Sequence, residues 1–398
     1  MTRLVEGMKN WTTWLNGRYG HAHLLIDAEV AELAFADEVR AALSHPGITL
    51  HEHRRPSNAN LDDIVTLSQE IAATDAGHRA LLVAVGGGGV LDQGKLVRLL
   101  LSDSRVERRL ATTQRCGFIA LPAEVLAHDI LALVPTTLGT GAESSRSACV
   151  QLDGTKRLAH GGSLRADLAV VTPAATRSLP QELIVEGILE TLLRLFSPYV
   201  GSHSDRRAQD DMVERYAAQL IRVGDTVQRL REAGQQVPDE LLAEIAMLSS
   251  VSHSDDLLTR RDPYCDVCWP LANELSMVTA ARKLPALAAL TPVIWRRALD
   301  GDARLGSAGR LRRLWTTVAS NAWSASPDSE PDIALASLIQ RWGISPLPQS
   351  AESMPDAAAK RAARTWGNGL PMLKGLSVSE LSALYADVLT PTQVPVRI

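Results

Sequence analysis

The sequence lacks the features that would assign it to several special classes of protein. It has four cysteines in 398 residues, too few for the disulfide framework of a secreted domain. No apolar run approaches the roughly 20 residues needed to span a bilayer, and the segment MTRLVEGMKNWTTWLNGRYG has no apolar core of the signal-peptide type. A net charge of −4 gives no basic field for nucleic acid or an acidic membrane surface. A cytoplasmic protein without nucleic-acid or membrane partners is therefore expected.

The few cysteines are placed for packing and not for chemistry. Cys116 and Cys149 each stand alone in a strand-like apolar run, so both are expected to be small buried side chains. Cys265 and Cys268 form one CxxC in YCDVCW, which is half of the ligand set of a structural zinc site. No cysteine or histidine follows Cys268, so neither zinc binding nor a redox role is expected of this pair.

The two halves of the chain differ in their hydrophobic pattern. Up to about residue 175, short apolar runs alternate with helical periods, which is typical of a parallel sheet covered by helices. These runs are HLLID, ALLVAV, GFIALP, ILALVP, SACVQL and ADLAVVTP. From about Gln181 onward the pattern is helical. The sequence therefore predicts a Rossmann-like α/β domain over residues 1–178 and an all-α domain over residues 179–398.

Four consecutive glycines, Gly86–Gly89, end one of these runs and precede a helical pattern. Gly-rich turns in this context hold phosphate, because backbone N–H groups point at the ligand and no Cβ blocks its approach. The spacing is not GxGxxG, so the ordinary dinucleotide fingerprint is absent. On this segment alone, phosphate binding and a tight strand–helix crossing are equally open.

A second segment, VPTTLGTGAESS, places hydroxyls and bare backbone beside a strand end. An ordinary Ser/Thr-rich loop could have the same composition. The occurrence of this segment after GGGG-x-x-D-x-G-K in one chain is more specific and favours a functional site. Together the two segments resemble those of the iron-containing alcohol dehydrogenase family, within the dehydroquinate-synthase-like superfamily. The residues that carry the resemblance are Gly86–Gly89, Asp92, Lys95, Pro135, Thr136, Thr137, Gly139–Gly141 and Glu143, followed by Lys156.

The resemblance implies a dehydroquinate-synthase-like fold, with NAD(P) in the cleft between an α/β nucleotide-binding domain and a helical substrate or catalytic domain. Asp27 ends a segment, HLLID, that resembles the family's first strand, whose terminal acid faces the adenosine ribose. Because a carboxylate pairs with a ribose 2′-OH and repels a 2′-phosphate, the cofactor expected is NAD. The residues that the resemblance assigns to the cofactor are Asp27, Gly86, Gly87, Gly88, Gly89, Asp92, Thr136, Thr137, Thr140 and Lys156.

The helical half departs from the family at the metal site, which an aspartate and three histidines normally form. Glu190 takes the position of the acid and Arg194 that of the first histidine, four residues apart on one helix face. In CWPLANELSMVTAARKLP, Trp269 and Lys283 take the positions of the other two histidines. Asn273 replaces a further histidine near the nicotinamide.

Histidine is absent after His253, so residues 254–398 cannot supply a metal site of the family type. The nearest substitute is Glu190 with His253, which is too few ligands for a firm divalent site, and no bound metal is expected. Arg194 and Lys283 opposite an acid can instead stabilise an alkoxide without a metal. A desolvated Lys283 can also lose its proton and serve as the base for the alcohol, or Arg194 can bind a substrate carboxylate through its fork of donors. The alternative is a buried salt bridge that only fills a former metal site.

These features predict a metal-independent, NAD-dependent dehydrogenase for an alcohol that bears an anionic group. The substrate side would hold Lys283, Arg194, Glu190, Asn273 and His253. Diverged dehydrogenases that resemble this family tailor peptide natural products of the daptide type, including oxidation of a C-terminal threonine. The expected substrate is therefore a small molecule or a peptide C-terminus, and a β-hydroxy acid would be decarboxylated after oxidation. Two alternative functions stay open: a sugar-phosphate-cyclase-like enzyme that uses NAD transiently, and a non-catalytic nucleotide-binding scaffold. Assembly of the chain into a homodimer also stays open.

Overall fold

The computed structural model describes residues 2–7, 19–75, 80–112, 116–121, 129–152, 154–258, 261–262, 264–319, 329–348, 351–367 and 370–389. The chain divides into two compact units. One consists of Met1–Gly187 with Gln235–Ser254, and the other of Ile188–Gly234 with Asp255–Ile398. Compared with the predicted division after residue 178, the first unit extends to Gly187 and also includes Gln235–Ser254.

The first unit is built on a six-stranded parallel sheet with the strand order β1-β9-β6-β4-β2-β3. A three-stranded sheet in the order β5-β8-β7 accompanies it. All seven residues of β4 are buried, as expected of a strand that helices cover on both faces. The strands are β1 (Arg3–Glu6), β2 (His21–Asp27), β3 (Thr49–Arg55), β4 (Ala80–Gly86), β5 (Phe118–Ala120), β6 (Ile130–Pro135), β7 (Ser147–Leu152), β8 (Thr155–His160) and β9 (Leu168–Val171).

Helices pack on both faces of the large sheet, because its strands direct apolar side chains toward both faces. One apolar cluster joins Leu81, Val83 and Val85 to helix α1, and another joins Leu82 and Ala84 to α2 and α3. The helices of this unit are α1 (Ala34–Leu43), α2 (Leu61–Asp75), α3 (Gly88–Ser102), α4 (Arg105–Ala111), α5 (Pro173–Thr176), the start of α6 (Gln181–Val200) and α8 (Asp239–Val251).

The second unit is helical, and no strand occurs in the part of it that the structure describes. Its core contains Phe196, Trp295 and Trp315, whose rings meet at centroid distances of 5.4 and 6.2 Å. The predicted fold class, an α/β domain with a helical one, is confirmed. No described helix is long and apolar enough to cross a membrane. The helices are the rest of α6, α7 (Arg207–Glu232), α9 (Asp255–Leu258), α10 (Cys268–Thr279), α11 (Lys283–Leu299), α12 (Ala308–Ala319), α13 (Pro331–Arg341), α14 (Met354–Ala362) and α15 (Val378–Leu389).

The two cysteines that were predicted to be buried differ in their exposure. Cys116 is buried, whereas Cys149 is exposed, so the prediction for Cys149 is wrong. The reason is that β7 is an edge strand of the small sheet and its third residue faces solvent. Cys265 and Cys268 are both buried thiols. Burial raises the pKa of Cys265 to about 12 and raises that of Cys268 as well, so neither forms a reactive thiolate.

Four histidines form a ladder across β2 and β3 that the sequence analysis did not anticipate. We call His21, His23, His51 and His53 the histidine ladder. Nδ1 of His21 lies 3.1 Å from Nε2 of His51, and Nδ1 of His23 lies 3.1 Å from Nε2 of His53. The rings of His23 and His51 stack between these pairs at 4.8 Å, and Nε2 of His23 bonds Asp75 at 2.8 Å. Each nitrogen pair can share only one proton, so at least one imidazole of each pair must be neutral to accept it.

The ladder makes stability depend on pH. Burial, then the charges of His23, His51 and Arg55, lowers the pKa of His53 to about 4 from an ordinary value of 6.5, against the opposing charge of Asp75. A lowered folded-state pKa means that the stabilisation is complete above about pH 6.5 and is lost as the pH falls toward 4. Between about pH 7.5 and pH 5, we expect wild-type protein to lose about 2–6 °C more in Tm than His53→Gln. Thermal unfolding followed by circular dichroism measures this difference.

His45→Gln is the matched control, because His45 is exposed and lies outside the ladder. It should keep the wild-type dependence of Tm on pH. If His53→Gln keeps that dependence too, the ladder does not govern acid stability.

Candidate functional site

The glycine run forms the junction between β4 and α3. Strand β4 ends at Gly86, Gly87 has extended backbone angles (φ −71°, ψ 176°), and α3 begins at Gly88. The first N–H groups of a helix have no intrahelical acceptor, and the helix dipole adds partial positive charge there. The run therefore presents backbone donors at the carboxyl end of a parallel strand, where phosphate groups bind in folds of this type.

The threonine segment lies directly against the glycines. The N–H of Thr136 donates to the Gly86 carbonyl at 3.0 Å. A Cβ on Gly87 would lie 3.3 Å from Cγ2 of Thr137, and one on Gly88 would lie 3.2 Å from Cγ2 of Thr140. The Thr137 hydroxyl is buried without a hydrogen-bond partner among the described residues. Bare backbone and an unsatisfied hydroxyl thus fit the pyrophosphate and ribose of a dinucleotide.

Asp27 stands beside this junction at the end of β2. Its carboxylate accepts the Glu29 N–H at 3.0 Å and the Ser57 hydroxyl at 3.1 Å. A Cβ on Gly86 would come within 3.0 Å of the Asp27 Cβ, so glycine is required for this approach. The acid is therefore fixed in orientation next to the glycine run, as the resemblance implies for a ribose-binding residue.

Asp92 and Lys156 have different surroundings from the other predicted cofactor residues. Asp92 accepts from Nζ of Lys95 at 3.2 Å and from the N–H of Cys149 at 2.9 Å. Lys95 is completely buried and also donates to the Ser147 carbonyl at 2.9 Å, so this pair joins α3 to β7. Lys156 lies on β8, paired in register with Gln151 of β7.

His253 packs on the threonine segment just beyond the end of α8. Its Nε2 donates to the Thr140 carbonyl at 3.1 Å. A Cβ on Gly141 would lie 2.3 Å from the His253 ring, and the nearby Ser250 hydroxyl donates to Glu143. The structure thus places His253 in contact with the GTGAE turn.

The residues at the four metal-ligand positions come together in the second unit. Arg194 donates to Glu190 at 2.8 Å, one turn apart on α6. The Arg194 guanidinium lies 5.6 Å from the ring centroid of Trp269, and Nζ of Lys283 lies 5.6 Å from the same centroid. We call Glu190, Arg194, Trp269 and Lys283 the cation cluster. Asn273 follows Trp269 by one turn of α10, on the same helix face.

A carboxylate that the sequence analysis did not select borders the cation cluster. Asp266 accepts the backbone N–H of Trp269 at 3.2 Å, at the start of α10. Burial raises the pKa of Asp266 to about 6, although this N–H and the charges of Lys283 and Arg194 oppose the rise. The only signal in the sequence is an acid shortly before a helix, inside the CxxC that drew attention to its cysteines instead.

The cation cluster does not fit a divalent metal. Guanidinium and indole have no lone pair to donate, and a charged lysine has none either. The positive charges of Arg194 and Lys283 beside the Trp269 ring also repel a metal cation. Among the described residues, no group of three His, Cys, Asp or Glu side chains is arranged to hold a metal ion.

Restoring the family's histidines should create a metal site. In the triple variant Arg194→His, Trp269→His, Lys283→His, with Glu190 retained, Zn²⁺ at about 100 times its Kd should raise Tm by about 5 °C or more. Differential scanning fluorimetry with and without Zn²⁺ measures this shift.

Trp269→His alone is the control, since one added imidazole leaves the cations in place. The histidine ladder is present in wild-type protein and in both variants, so any Zn²⁺ that it binds would raise their Tm values equally. Only the difference in Tm shift between the triple variant and the other two proteins therefore reports on the new site. Equal stabilisation of wild-type protein and the triple variant would contradict the assignment of these positions.

Comparison with known proteins agrees with the resemblance that the motifs carry. Residues 7–173 match the family model described as iron-containing alcohol dehydrogenase. Long-chain-alcohol dehydrogenase 1 of Geobacillus thermodenitrificans is 29% identical over 46% of this chain and 45% of its own length. NADPH-dependent aldehyde reductase YqhD of Escherichia coli is 24% identical over 71% of this chain and 67% of its own. The 4-hydroxybutyrate dehydrogenase of Cupriavidus necator is 37% identical over 33% of this chain and 35% of its own. The matched part of the chain thus spans about half, two thirds and one third of the lengths of these three relatives, respectively.

Solved structures share the fold over nearly the whole chain. An NADH-dependent butanol dehydrogenase from Thermotoga maritima aligns with a TM-score of 0.77 and 17% identity, covering 98% of this chain and 96% of its own. Sulfoacetaldehyde reductase from Bifidobacterium kashiwanohense, solved with NAD+, aligns with a TM-score of 0.74 and 14% identity, covering 98% of both chains. A nicotinamide cofactor is thus confirmed for the relatives. Residues 7–173 thus match the iron-containing alcohol dehydrogenase family model, and the chain shares the fold of solved structures over nearly its whole length.

Proposed function

We propose that the chain is an NAD-dependent, metal-independent dehydrogenase that oxidises a hydroxyl group of an anionic substrate. The observation that carries the proposal is the pair of cations, Arg194 and Lys283, on the ring of Trp269. They occupy the positions at which the resemblance places metal ligands, so fixed positive charge takes the electrostatic role of the metal. Such charge stabilises a developing oxyanion without any exchangeable ion.

The glycine run, Thr137, Thr140 and Asp27 are the residues that would hold the cofactor. The N-terminus of α3 offers N–H groups to the pyrophosphate, and the Thr137 hydroxyl still requires a partner. His253 supports this segment through its bond to the Thr140 carbonyl. When bound, the nicotinamide ring supplies the acceptor for hydride. Asp27 selects NAD over NADP by repelling a 2′-phosphate.

On the substrate side, each charged residue has a separate task. Arg194 binds a carboxylate through its fork of N–H donors, and Glu190 orients that fork. Lys283 donates to the reacting oxygen and stabilises its negative charge. The ring of Trp269 holds both cations in place through cation–π contacts. Asn273 lies one turn further along the same face of α10.

A β-hydroxy acid is the substrate class that uses both cations. Its carboxylate would lie on Arg194 and its hydroxyl on Lys283, and the β-keto acid formed by oxidation loses CO2 readily. A peptide that ends in threonine has this arrangement of groups. The relative named 4-hydroxybutyrate dehydrogenase adds support, since its name gives it an anionic hydroxy acid as substrate.

A non-catalytic nucleotide-binding scaffold is the second candidate. The closed Glu190–Arg194 ion pair favours it, because the pair already neutralises one of the two cations. The scaffold binds NADH but does not reduce NAD+ with any alcohol, whereas the dehydrogenase does both. A cyclase-like enzyme is less favoured, since that branch needs a metal.

Removing the Arg194 charge should weaken the binding of anionic substrates selectively. For Arg194→Met, KM for a β-hydroxy acid should rise by about 10–100-fold, the value of one charge-assisted hydrogen bond. KM for a neutral alcohol of the same chain length should change by less than about 3-fold. Absorbance of NADH at 340 nm, measured with both substrates in the presence of a chelator, checks this.

Arg297→Met is the matched control, because Arg297 pairs with exposed Asp387 and is not in the cation cluster. It should leave both KM values unchanged. An equal rise of KM for charged and neutral alcohols in Arg194→Met would contradict carboxylate binding by Arg194.

Neutralising Asp27 should relax the choice between the two cofactors. In Asp27→Asn, the Kd for NADPH should fall relative to that for NADH by about 10-fold or more, because the repulsion of the 2′-phosphate is lost. Fluorescence titration with NADH and NADPH measures both constants without any substrate. Glu29→Gln, an exposed carboxylate two residues away, should keep the wild-type ratio. If Asp27→Asn keeps the wild-type ratio as well, Asp27 does not select the cofactor.

A further inference from the structure

We propose that Ser57 is a positioning residue that orients Asp27 toward the adenosine ribose of the cofactor and so strengthens the preference for NAD. The inference rests on the proposed function, in which Asp27 binds this ribose, and adds the residue that holds its carboxylate in place. A carboxylate rotates easily about its Cβ–Cγ bond, because this torsion has broad minima. An acid that receives two hydroxyls at once therefore binds more tightly when its plane is fixed beforehand.

The two carboxylate oxygens of Asp27 are anchored separately. Oδ1 accepts the backbone N–H of Glu29 at 3.0 Å, and Oδ2 accepts the Ser57 hydroxyl at 3.1 Å. A carboxylate has about four lone-pair positions, two on each oxygen, so each oxygen of Asp27 keeps one position for a further donor. The 2′- and 3′-hydroxyls of a ribose are two adjacent donors. The anchored carboxylate can therefore accept one ribose hydroxyl on each oxygen.

The loop that carries Ser57 is fixed to the start of α3. Buried Gln93 donates from Nε2 to the Pro56 carbonyl at 2.7 Å, and its Oε1 accepts from Nε of Arg55 at 3.0 Å. The Ser57 carbonyl lies directly against Gly89, since a Cβ on this glycine would come within 2.0 Å of the carbonyl oxygen. The backbone of Ser57 is thus held from two sides, and its hydroxyl is presented to the acid in a fixed position.

The bond from Ser57 to Asp27 also bears on the choice between NAD and NADP. A serine hydroxyl has a single proton, and Ser57 donates it to Asp27. Ser57 therefore offers no donor to a 2′-phosphate while the acid is in place. Because the Glu29 anchor is a backbone group, Ser57 supplies the part of this arrangement that depends on a side chain. Ser57 is itself exposed, so removal of its hydroxyl opens no buried cavity.

Two nucleotides separate the orientation of Asp27 from a general effect on the loop. ADP carries the adenosine ribose and the pyrophosphate, whereas 2′,3′-dideoxy-ADP lacks both ribose hydroxyls. In Ser57→Ala, the Kd for ADP should rise by about 5–10-fold and that for 2′,3′-dideoxy-ADP should change by less than about 2-fold. The Kd for NADH should rise as that for ADP does, and the Kd for NADPH should change by less than about 2-fold. Isothermal titration calorimetry measures all four constants without any substrate.

Two further variants test whether Ser57 acts through Asp27. Asp27→Ala removes the carboxylate and keeps the Cβ that lies against Gly86. In that background, Ser57→Ala should change the Kd for ADP by less than about 2-fold, because the group to be oriented is missing. Ser57→Thr retains a hydroxyl and should keep the wild-type Kd for ADP.

Ser44→Ala is the matched control, because Ser44 is an exposed serine whose hydroxyl donates to the Arg40 carbonyl at 2.8 Å. It should leave all four Kd values unchanged. If Ser57→Ala weakens ADP and 2′,3′-dideoxy-ADP equally, or binds both as wild-type protein does, the positioning role is overturned and the proposed function stands. Wild-type protein that binds neither ADP nor NADH would overturn the cofactor site of the proposed function and the positioning role together.

Discussion

The interaction on which the candidate substrate site depends is the contact of two cations with the ring of Trp269. Arg194 and Lys283 come from separate helices, α6 and α11, and both lie 5.6 Å from the same indole centroid. Both groups are cations in contact with one ring, and nearby acids offset their charge. Glu190 offsets part of it through a direct ion pair, and Asp266 offsets more from the start of α10. The result is a cluster of four charges and one ring in which the positive groups are positioned before any ligand arrives, which favours anions and excludes divalent cations.

The cofactor region is governed by a steric constraint instead of by charge. A Cβ on Gly89 would lie 2.0 Å from the Ser57 carbonyl oxygen, and one on Gly86 would lie 2.9 Å from the Val90 Cβ. Glycine at these positions lets β4 turn into α3 while Asp27 and the threonine segment stay close. This constraint is independent of the residues that replace the metal ligands. The glycine junction can therefore keep its geometry while the composition of the cation cluster changes.

The sequence predicted those elements whose signal is local. Strands β2 and β4 are buried over nearly their whole length and contain the apolar segments LLI and ALLVAV, and both were identified. Strand β3, TLHEHRR, was missed because an edge strand is covered on fewer sides and keeps polar residues. The Glu190–Arg194 contact follows from helix periodicity alone, whereas their meeting with Trp269 and Lys283 depends on packing between helices. Asp266 and the histidine ladder were missed for the same reason, since neither has meaning until separate segments are brought together.

In the proposed function, replacing a metal by fixed cations has a chemical consequence for the proton of the alcohol. A divalent metal both stabilises an alkoxide and lowers the pKa of the bound alcohol so far that the proton leaves unaided. An ammonium and a guanidinium stabilise the same charge less strongly, and one of them is partly neutralised by Glu190. The alcohol then keeps its proton until a base removes it. A site that lost its metal and kept its reaction would therefore need a separate proton acceptor for the alcohol.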